Sequence, residues 1–589
     1  MLYNIDIESI VKKWYNINVI ILQRRICFMK KRISALIALF LAAVLLAACV
    51  PSEASGTTAS QLAPLASRPA GDTKGTTSNT AGTMGTTSTT NGGNPIFTFP
   101  NYATTVIYTT GKTLSTVTTG TVPTTDTTAT TRTTGTTTIA DIDDYYARMD
   151  VRPGYENVDF AGHTFTFASP INTTDGWADY EVYAEEDGSG ILDASIVLRN
   201  NLLLEHYDCF IRVEDIDNGT LRDDFNTNRN RIDLVLTRYN LQTKANGDYY
   251  NFHELEIDLD KPWWDRGFIE DATVNGQLYG IVGAFSLTSF DATNVLFYNK
   301  TVKETNEYLR YVDFYDFVYN DEWTLDKFCE IVKMAPVDDG DTSMVLGTGD
   351  VFGLVTTFFG IRDLYFGAGQ SYVTKTDNRD GSTEFFHAFT GTSVEVTNKI
   401  IELYSFDGTA CTDYVTVERQ MRNNTTLFTQ EVLRRASYYA GKQGAYTEAV
   451  YIGILPLPKL DSAQEEYRHN IDNHMIYMCV PKTCADRARI AQFLEVYAYH
   501  SYYTVYRDYL NLYKYTYTTD ADSAEMVDIA LQSRYFDLAY QFSWAGIDSE
   551  YMKGVQEGNN VVSELGGSFG EAIVAAANTY RDGMKGAGK

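Results

Sequence analysis

The sequence of 589 residues predicts an α/β protein of two lobes, preceded by a disordered tether. Three observations carry this. Beyond about residue 141, apolar runs of strand length alternate with amphipathic runs of helix length, the pattern of a parallel sheet covered by helices. That part holds about 450 residues, more than one hydrophobic core comfortably organises, so two domains are expected. Residues 50–140, in contrast, have almost no periodic apolar pattern. Stretches such as "GTTSNTAGTMGTTSTTNGG" and "TVPTTDTTATTRTTGTTT" cannot bury enough surface to offset chain entropy.

In chain order, the first informative segment is "MKKRISALIALFLAAVLLAAC". Lys30, Lys31 and Arg32 precede an uncharged apolar run over 33–45, and small residues stand before Cys49. The run is shorter than the roughly 20 apolar residues that span a bilayer, so it reads as an export signal. It resembles a bacterial lipoprotein signal with Leu46, Ala47, Ala48 and Cys49 as lipobox. That resemblance implies a diacylglyceryl group on the Cys49 sulfur and cleavage just before it. Residues 1–28 fit no part of this scheme, which makes Met29 the expected start and 1–48 an upstream extension plus signal. Residues 49–140 then form a flexible tether, with a root-mean-square span on the order of 50 Å.

The first strand is expected in "FAGHTFTFAS", where apolar and polar residues alternate. A loop containing Trp177 leads to an apolar helical run over 191–207. "FIRVEDI" and "RIDLVLTRYN" read as the next two strands, bounded by helices as in a parallel sheet. "WTLDKFCEIVKMA" opens a helix with Thr324 as N-cap. "KTCADRARIAQFLEVYAYHSYY" offers Thr483 with Asp486 three residues later, a capping-box pattern. "ADSAEMVDIALQSRYFDLAY" reads as a further amphipathic helix.

Composition narrows the partners. The formal charge is −28, and residues 1–48 carry seven Lys/Arg against two Asp/Glu, so the chain beyond them is more acidic still. This argues against nucleic acid and against an anionic lipid face as partner. Cys209, Cys329, Cys411, Cys479 and Cys484 include no C-x-x-C pair and mostly sit in apolar surroundings. They read as buried free thiols, with a Cys479–Cys484 bridge as the alternative.

Several stretches together resemble a known family. "DLVLTRYN", "DLDKPWWDRGFIEDATVNGQLYGIVGAFSLTSFDATNVLFYNK", "EWTLDKFCEIVK", "YIGILPLPKLDSAQEEYRH" and "VPKTCADRARIAQFLEVYAYHS" come in this order. Over about residues 155–550 the chain resembles the extracellular solute-binding proteins of bacterial ABC importers, the group that includes maltose-binding protein. The resemblance implies a periplasmic-binding-protein-like (type II) fold: two α/β lobes, a hinge, and ligand in the cleft between them. Mapped onto this chain, lobe one spans 155–293 plus 450–505 and lobe two spans 294–449 plus 506–589, with 294–300 as the first crossing. It further implies a monomer without metal or cofactor, held on the outer face of the membrane. There it would capture a carbohydrate, an oligosaccharide above all, for ABC permease subunits by hinge closure.

Sugars present apolar C–H faces and rings of hydroxyls, which call for aromatic platforms beside carboxylates and amides. Candidate ligand residues are therefore Trp177, Tyr239 and Asn240 after the third strand, Asp291 before the crossing, and Trp544 in "YQFSWAGI". Each has a structural alternative: a Trp fills cores and interfaces, and Asp291 caps a turn. Trp263 and Trp264 in "KPWWD" read as pins for their loop.

Other patterns are set aside. "GGSFG" matches G-x-S-x-G, yet all seven histidines precede Ser568, whereas a hydrolase of that order needs one downstream. "DDGDTSMVLGTGD" misses calcium-loop spacing and reads as a solvated acidic turn. No histidine spacing suits zinc. A sensor or carbohydrate-holding adhesin on the same lobes, a peptide-binding protein and a secreted glycoside-active enzyme remain as alternatives.

Overall fold

The computed structural model describes residues 151–586 apart from 170–181, 185–189, 215, 239–246, 444–446, 519 and 563–564. It also describes the backbone of three short antiparallel strands, Thr105–Tyr108, Leu114–Val117 and Thr137–Ile139. Cys49, the signal segment and the rest of the expected tether lie outside the described residues. Among the described residues no helix is long and apolar enough to cross a membrane.

Nine strands build the two main sheets. The first sheet takes β1 (His163–Ala168), β2 (Cys209–Glu214), β3 (Leu234–Thr237) and the last strand, β9 (Tyr477–Cys479), in the order β9-β3-β1-β2. β1, β2 and β3 are parallel, and β9 returns antiparallel beside β3. The apolar alternation of "HTFTFA" explains β1: Phe165 and Phe167 are buried, and Phe165 stacks on Phe493 with centroids 3.7 Å apart. That contact seats the helix α5 (Arg487–Ser501) on this sheet, and α1 (Ile191–Tyr207) joins β1 to β2.

The second sheet has five strands: β4 (Asn294–Asn299), β5 (Phe352–Thr356), β6 (Thr409–Cys411), β7 (Thr426–Val432) and β8 (Ile452–Leu455). Their order is β6-β5-β7-β4-β8; β5 is parallel to β6 and β7, while β4 runs antiparallel to both of its neighbours. β8 therefore belongs to the second sheet, although its segment was mapped to lobe one. Helix α2 (Leu325–Met334) covers this sheet with Leu325, Phe328, Ile331 and Val332 buried, and Thr324 caps it by accepting the Lys327 N–H. α5 starts later than its sequence suggests: Asp486, not Thr483, is the N-cap, accepting the Arg489 N–H.

Backbone hydrogen bonds gather the chain passages that lie between the two sheets, with the end of β7 beside them. Leu433 N–H donates to Thr293 O (2.7 Å), Asp472 N–H to Ala292 O (2.7 Å) and Ile471 N–H to Tyr535 O (3.2 Å). The short strands His469–Asn470 and Arg534–Tyr535 pair in parallel between them. The expected boundary at 505 falls inside one continuous helical run, where α5 passes through a wider-pitched turn, Tyr502–Tyr506, into Arg507–Leu512 and a second such turn, Tyr513–Tyr517.

Gly453 in β8 leaves no room for a side chain, because a Cβ there would overlap the Tyr298 ring of β4. Gly453→Ala is expected to cost about 1–3 kcal/mol, the usual range for overpacking. It would be read as a drop in the urea midpoint; an unchanged midpoint would contradict this packing.

Candidate functional site

In open α/β sheets, ligands sit beyond the carboxyl ends of the strands. In the second sheet β5, β6 and β7 end on the edge where β4 begins, which is also the edge the passages leave. Phe358 and Phe359 follow β5, and Tyr414 opens α4 (Tyr414–Arg422) just after β6. Phe358 and Phe359 have ring centroids 4.3 Å apart, and Phe359 lies nearly parallel to Tyr414 at 6.2 Å. Phe358 is 37% exposed and Tyr414 48%, so this is an aromatic surface rather than core.

Beneath it lies a buried charge cluster. Arg362, in α3 (Gly360–Gly367), is 2% exposed and pairs with Asp363 (3.3 Å) and Asp548 (3.2 Å). Its guanidinium stacks on Phe359 (5.3 Å) and Tyr540 (4.2 Å). Asp363 also accepts from Asn470 (2.9 Å), and Asp548 from the Tyr372 hydroxyl (2.9 Å). Asp472 completes the group, with Oδ1 accepting the His474 N–H (3.0 Å) and bonded to its ring Nδ1 (2.5 Å).

The guanidinium pairs with two of these carboxylates and acts on the third, Asp472, through its charge, and Asp363 and Asp472 shift in opposite directions. Burial pushes Asp363 up to about 6, only partly offset by Arg362 and Asn470. Burial acts on Asp472 in the same direction, but His474 and Arg362 outweigh it and hold that carboxyl below its usual range. Tyr414 is pushed upward, first by burial and then by the charges of Asp472 and Glu431. Its hydroxyl end is therefore enclosed beside those carboxylates while the ring remains half exposed. The site offers aromatic faces next to an ionised acceptor.

Of the residues singled out from sequence, Trp177, Tyr239 and Asn240 lie outside the described residues, in segments that follow β1 and β3. Asp291 is 3% exposed and accepts hydroxyl hydrogens from Tyr509 (3.0 Å) and Tyr513 (2.5 Å), which tie the long helical run to the first passage. Trp544 is 2% exposed, edge-on to Phe385 (5.7 Å) and packed on Phe542 and Tyr580. Among the described residues, no hydrogen bond or ring contact joins either of these two to Phe358, Phe359 or Tyr414. Trp263 pins its loop: its Nε1–H donates to Glu495 (3.0 Å), and its ring meets Tyr499 edge-on.

Phe358, Phe359, Tyr414 and Asp472 were not found from sequence. The available signal was "VFGLVTTFFG", an apolar strand-length run closed by two aromatics and a glycine.

Two other regions differ from this one. Asp338, Asp339 and Asp350 bring carboxylate oxygens within 4.8 Å of one another. Asp350 is buried rather than solvated: it accepts N–H groups of Asp339 (2.8 Å) and Val345 (2.7 Å) and organises the loop itself. An open groove lined by Met344, Leu346, Tyr404 and Phe406 lies at the amino ends of β5 and β6, the opposite edge of the sheet.

No protein-family model and no curated protein matches the chain. Among solved structures it is similar to the sugar-binding protein MalE from Xanthomonas citri, at 12% identity and a TM-score of 0.46, covering 70% of this chain and 98% of that one. It is also similar to the galacto-N-biose-/lacto-N-biose I-binding protein of the ABC transporter from Bifidobacterium longum, at 12% identity and a TM-score of 0.46, covering 72% and 99%. A cyclo/maltodextrin-binding protein complexed with maltotetraose aligns at 13% identity and a TM-score of 0.44, covering 71% and 96%.

Proposed function

We propose that this protein is a solute-binding protein that captures a carbohydrate between its two sheet-centred lobes. It is not an enzyme on this reading. The lipobox at Cys49 and the Thr-rich tether hold it on the outer face of the membrane, and ABC permease subunits receive the ligand. The observation that carries the reading is the Phe358–Phe359–Tyr414 surface beside ionised Asp472, at the sheet edge where the passages converge. Aromatic faces suit the C–H faces of a sugar ring, and a carboxylate suits its hydroxyls. Passages gathered side by side suit a hinge, and a ligand touching both lobes would shift an open–closed equilibrium.

The test is a thermal-shift screen of the purified protein against neutral saccharides, peptides and polyamines. A ligand at 100 times its Kd adds about 2.7 kcal/mol to the folded state, a shift of a few degrees. Phe358→Ala and Tyr414→Ala are expected to weaken saccharide binding on the order of tenfold each with folding intact, since both rings are substantially exposed. A folded protein that shifts only with peptides, or with nothing, overturns the carbohydrate reading. Turnover of a bound glycan overturns the non-enzyme reading.

A further inference from the structure

Asp472 is held from two sides. Its backbone N–H donates to Ala292 O in the first passage, and its neighbour Ile471 bridges Thr293. Its side chain uses a single oxygen for its partners, because both the backbone N–H and the ring Nδ1 of His474 address Oδ1. Among the described residues Oδ2 has no hydrogen-bond partner, and the side chain is 16% exposed. A carboxylate fixed through one oxygen, with the other left over beside an aromatic surface, is an acceptor waiting for a donor.

The surrounding charges determine which donor fits. Arg362 is engaged by Asp363 and Asp548. Arg435 is engaged by Glu418 (2.8 Å) and Glu431 (3.2 Å), and Arg422 by Glu418 (2.9 Å). Arg362, whose charge acts on Asp472, is therefore already paired, and Glu431 acts on the Tyr414 hydroxyl together with Asp472. A ligand carboxylate or phosphate would meet the like charge of Asp472 there, and a hydroxyl would not.

We infer that Oδ2 of Asp472 accepts a hydrogen bond from a ligand hydroxyl and so makes the site selective for neutral saccharides over anionic ones. This rests on the carbohydrate reading above. Asp472 is the specificity-determining residue, and His474 positions it by occupying Oδ1.

The experiment is calorimetry on the purified full chain with a neutral saccharide found in the screen, its uronic-acid counterpart and its amino-sugar counterpart. The wild type is expected to prefer the neutral sugar to the uronate by at least about tenfold, a difference of about 1.4 kcal/mol. Asp472→Asn is expected to shrink that ratio severalfold, losing affinity for the neutral ligand and gaining it for the uronate. His474→Gln should lower affinity for the neutral sugar while keeping the preference, because the carboxylate remains.

Equal affinity of the wild type for neutral sugar and uronate overturns the inference without any variant. A ratio unchanged in folded Asp472→Asn overturns it as well, and preference for the amino sugar overturns the hydroxyl assignment. A wild type that binds no saccharide overturns the carbohydrate reading itself, and this inference with it.

Discussion

Replacing Arg362 with methionine is expected to lower the stability of the folded protein by roughly 3–5 kcal/mol, the range for removing one partner of a buried ion pair. Arg362 is 2% exposed, and its departure would leave Asp363 and Asp548 facing each other without a cation. It would also remove the guanidinium that fills the space between Phe359 and Tyr540. Urea denaturation at pH 7 gives the size of the loss, and the same measurement at pH 5 should show a smaller one, because the stranded carboxyls can then take up protons. The combination Arg362→Met, Asp363→Asn and Asp548→Asn is expected to recover much of the stability, since replacing all the charges leaves none buried and unpaired. A single variant that loses less than about 1 kcal/mol would mean that water reaches the cluster and screens it. The cluster underlies the Phe358–Phe359–Tyr414 surface, so the triple variant should also separate fold from function. With folding restored, any loss of ligand affinity would come from the altered field around Asp472.

Three of the four strands of the first sheet are readable from sequence because they carry their own signal, whereas the antiparallel β9 is not. "HTFTFA" alternates, "LVLT" is a continuous apolar run, and the helix Ile191–Tyr207 was placed at its observed limits. The second sheet was mostly missed for a physical reason: hydrophobic pattern identifies elements, not their neighbours. Ile452–Leu455 reads as a strand either way, but only the fit of Gly453 against Tyr298 places it beside β4. The α5 start shows a similar limit, since Thr483 and Asp486 are both good caps and the chain uses the second. The aromatic site was missed because Phe358 and Phe359 resemble the end of a core strand until β6 and Tyr414 are brought alongside. Asp291, chosen for its place before the crossing, is used by the fold to anchor two tyrosines.

Glu495 and Asp271 are expected to take stability away from the fold as pH rises from about 4 to 7, against an opposite contribution from the buried His469 and His500. Glu495 is 1% exposed, and burial pushes it up to about 7 although it accepts the Asp258 N–H and the Trp263 Nε1–H. Asp271, in the helix Arg266–Ala272, is pushed up to about 7 by burial, against the Phe536 N–H and the charges of Lys375 and Arg468. For both groups the folded state holds its proton more tightly than the unfolded chain. Between the unfolded and folded pKa values the native protein binds more protons, so raising the pH favours unfolding. Each tenfold difference in proton affinity is worth about 1.4 kcal/mol, which makes the two groups together worth several kcal/mol, lost by about pH 7. Glu418, Asp472 and Asp520 act in the opposite sense: their carboxyls are held low, so their contribution disappears only as pH falls below the usual carboxylate range. His469 and His500, both pushed down to about 3 by burial, add stability as pH rises from there to the ordinary histidine range. The two carboxyls are therefore read by difference: in urea midpoints, Glu495→Gln and Asp271→Asn should each gain on the wild type as pH rises from about 4 to 8. A difference that stays constant across that range would contradict the burial argument.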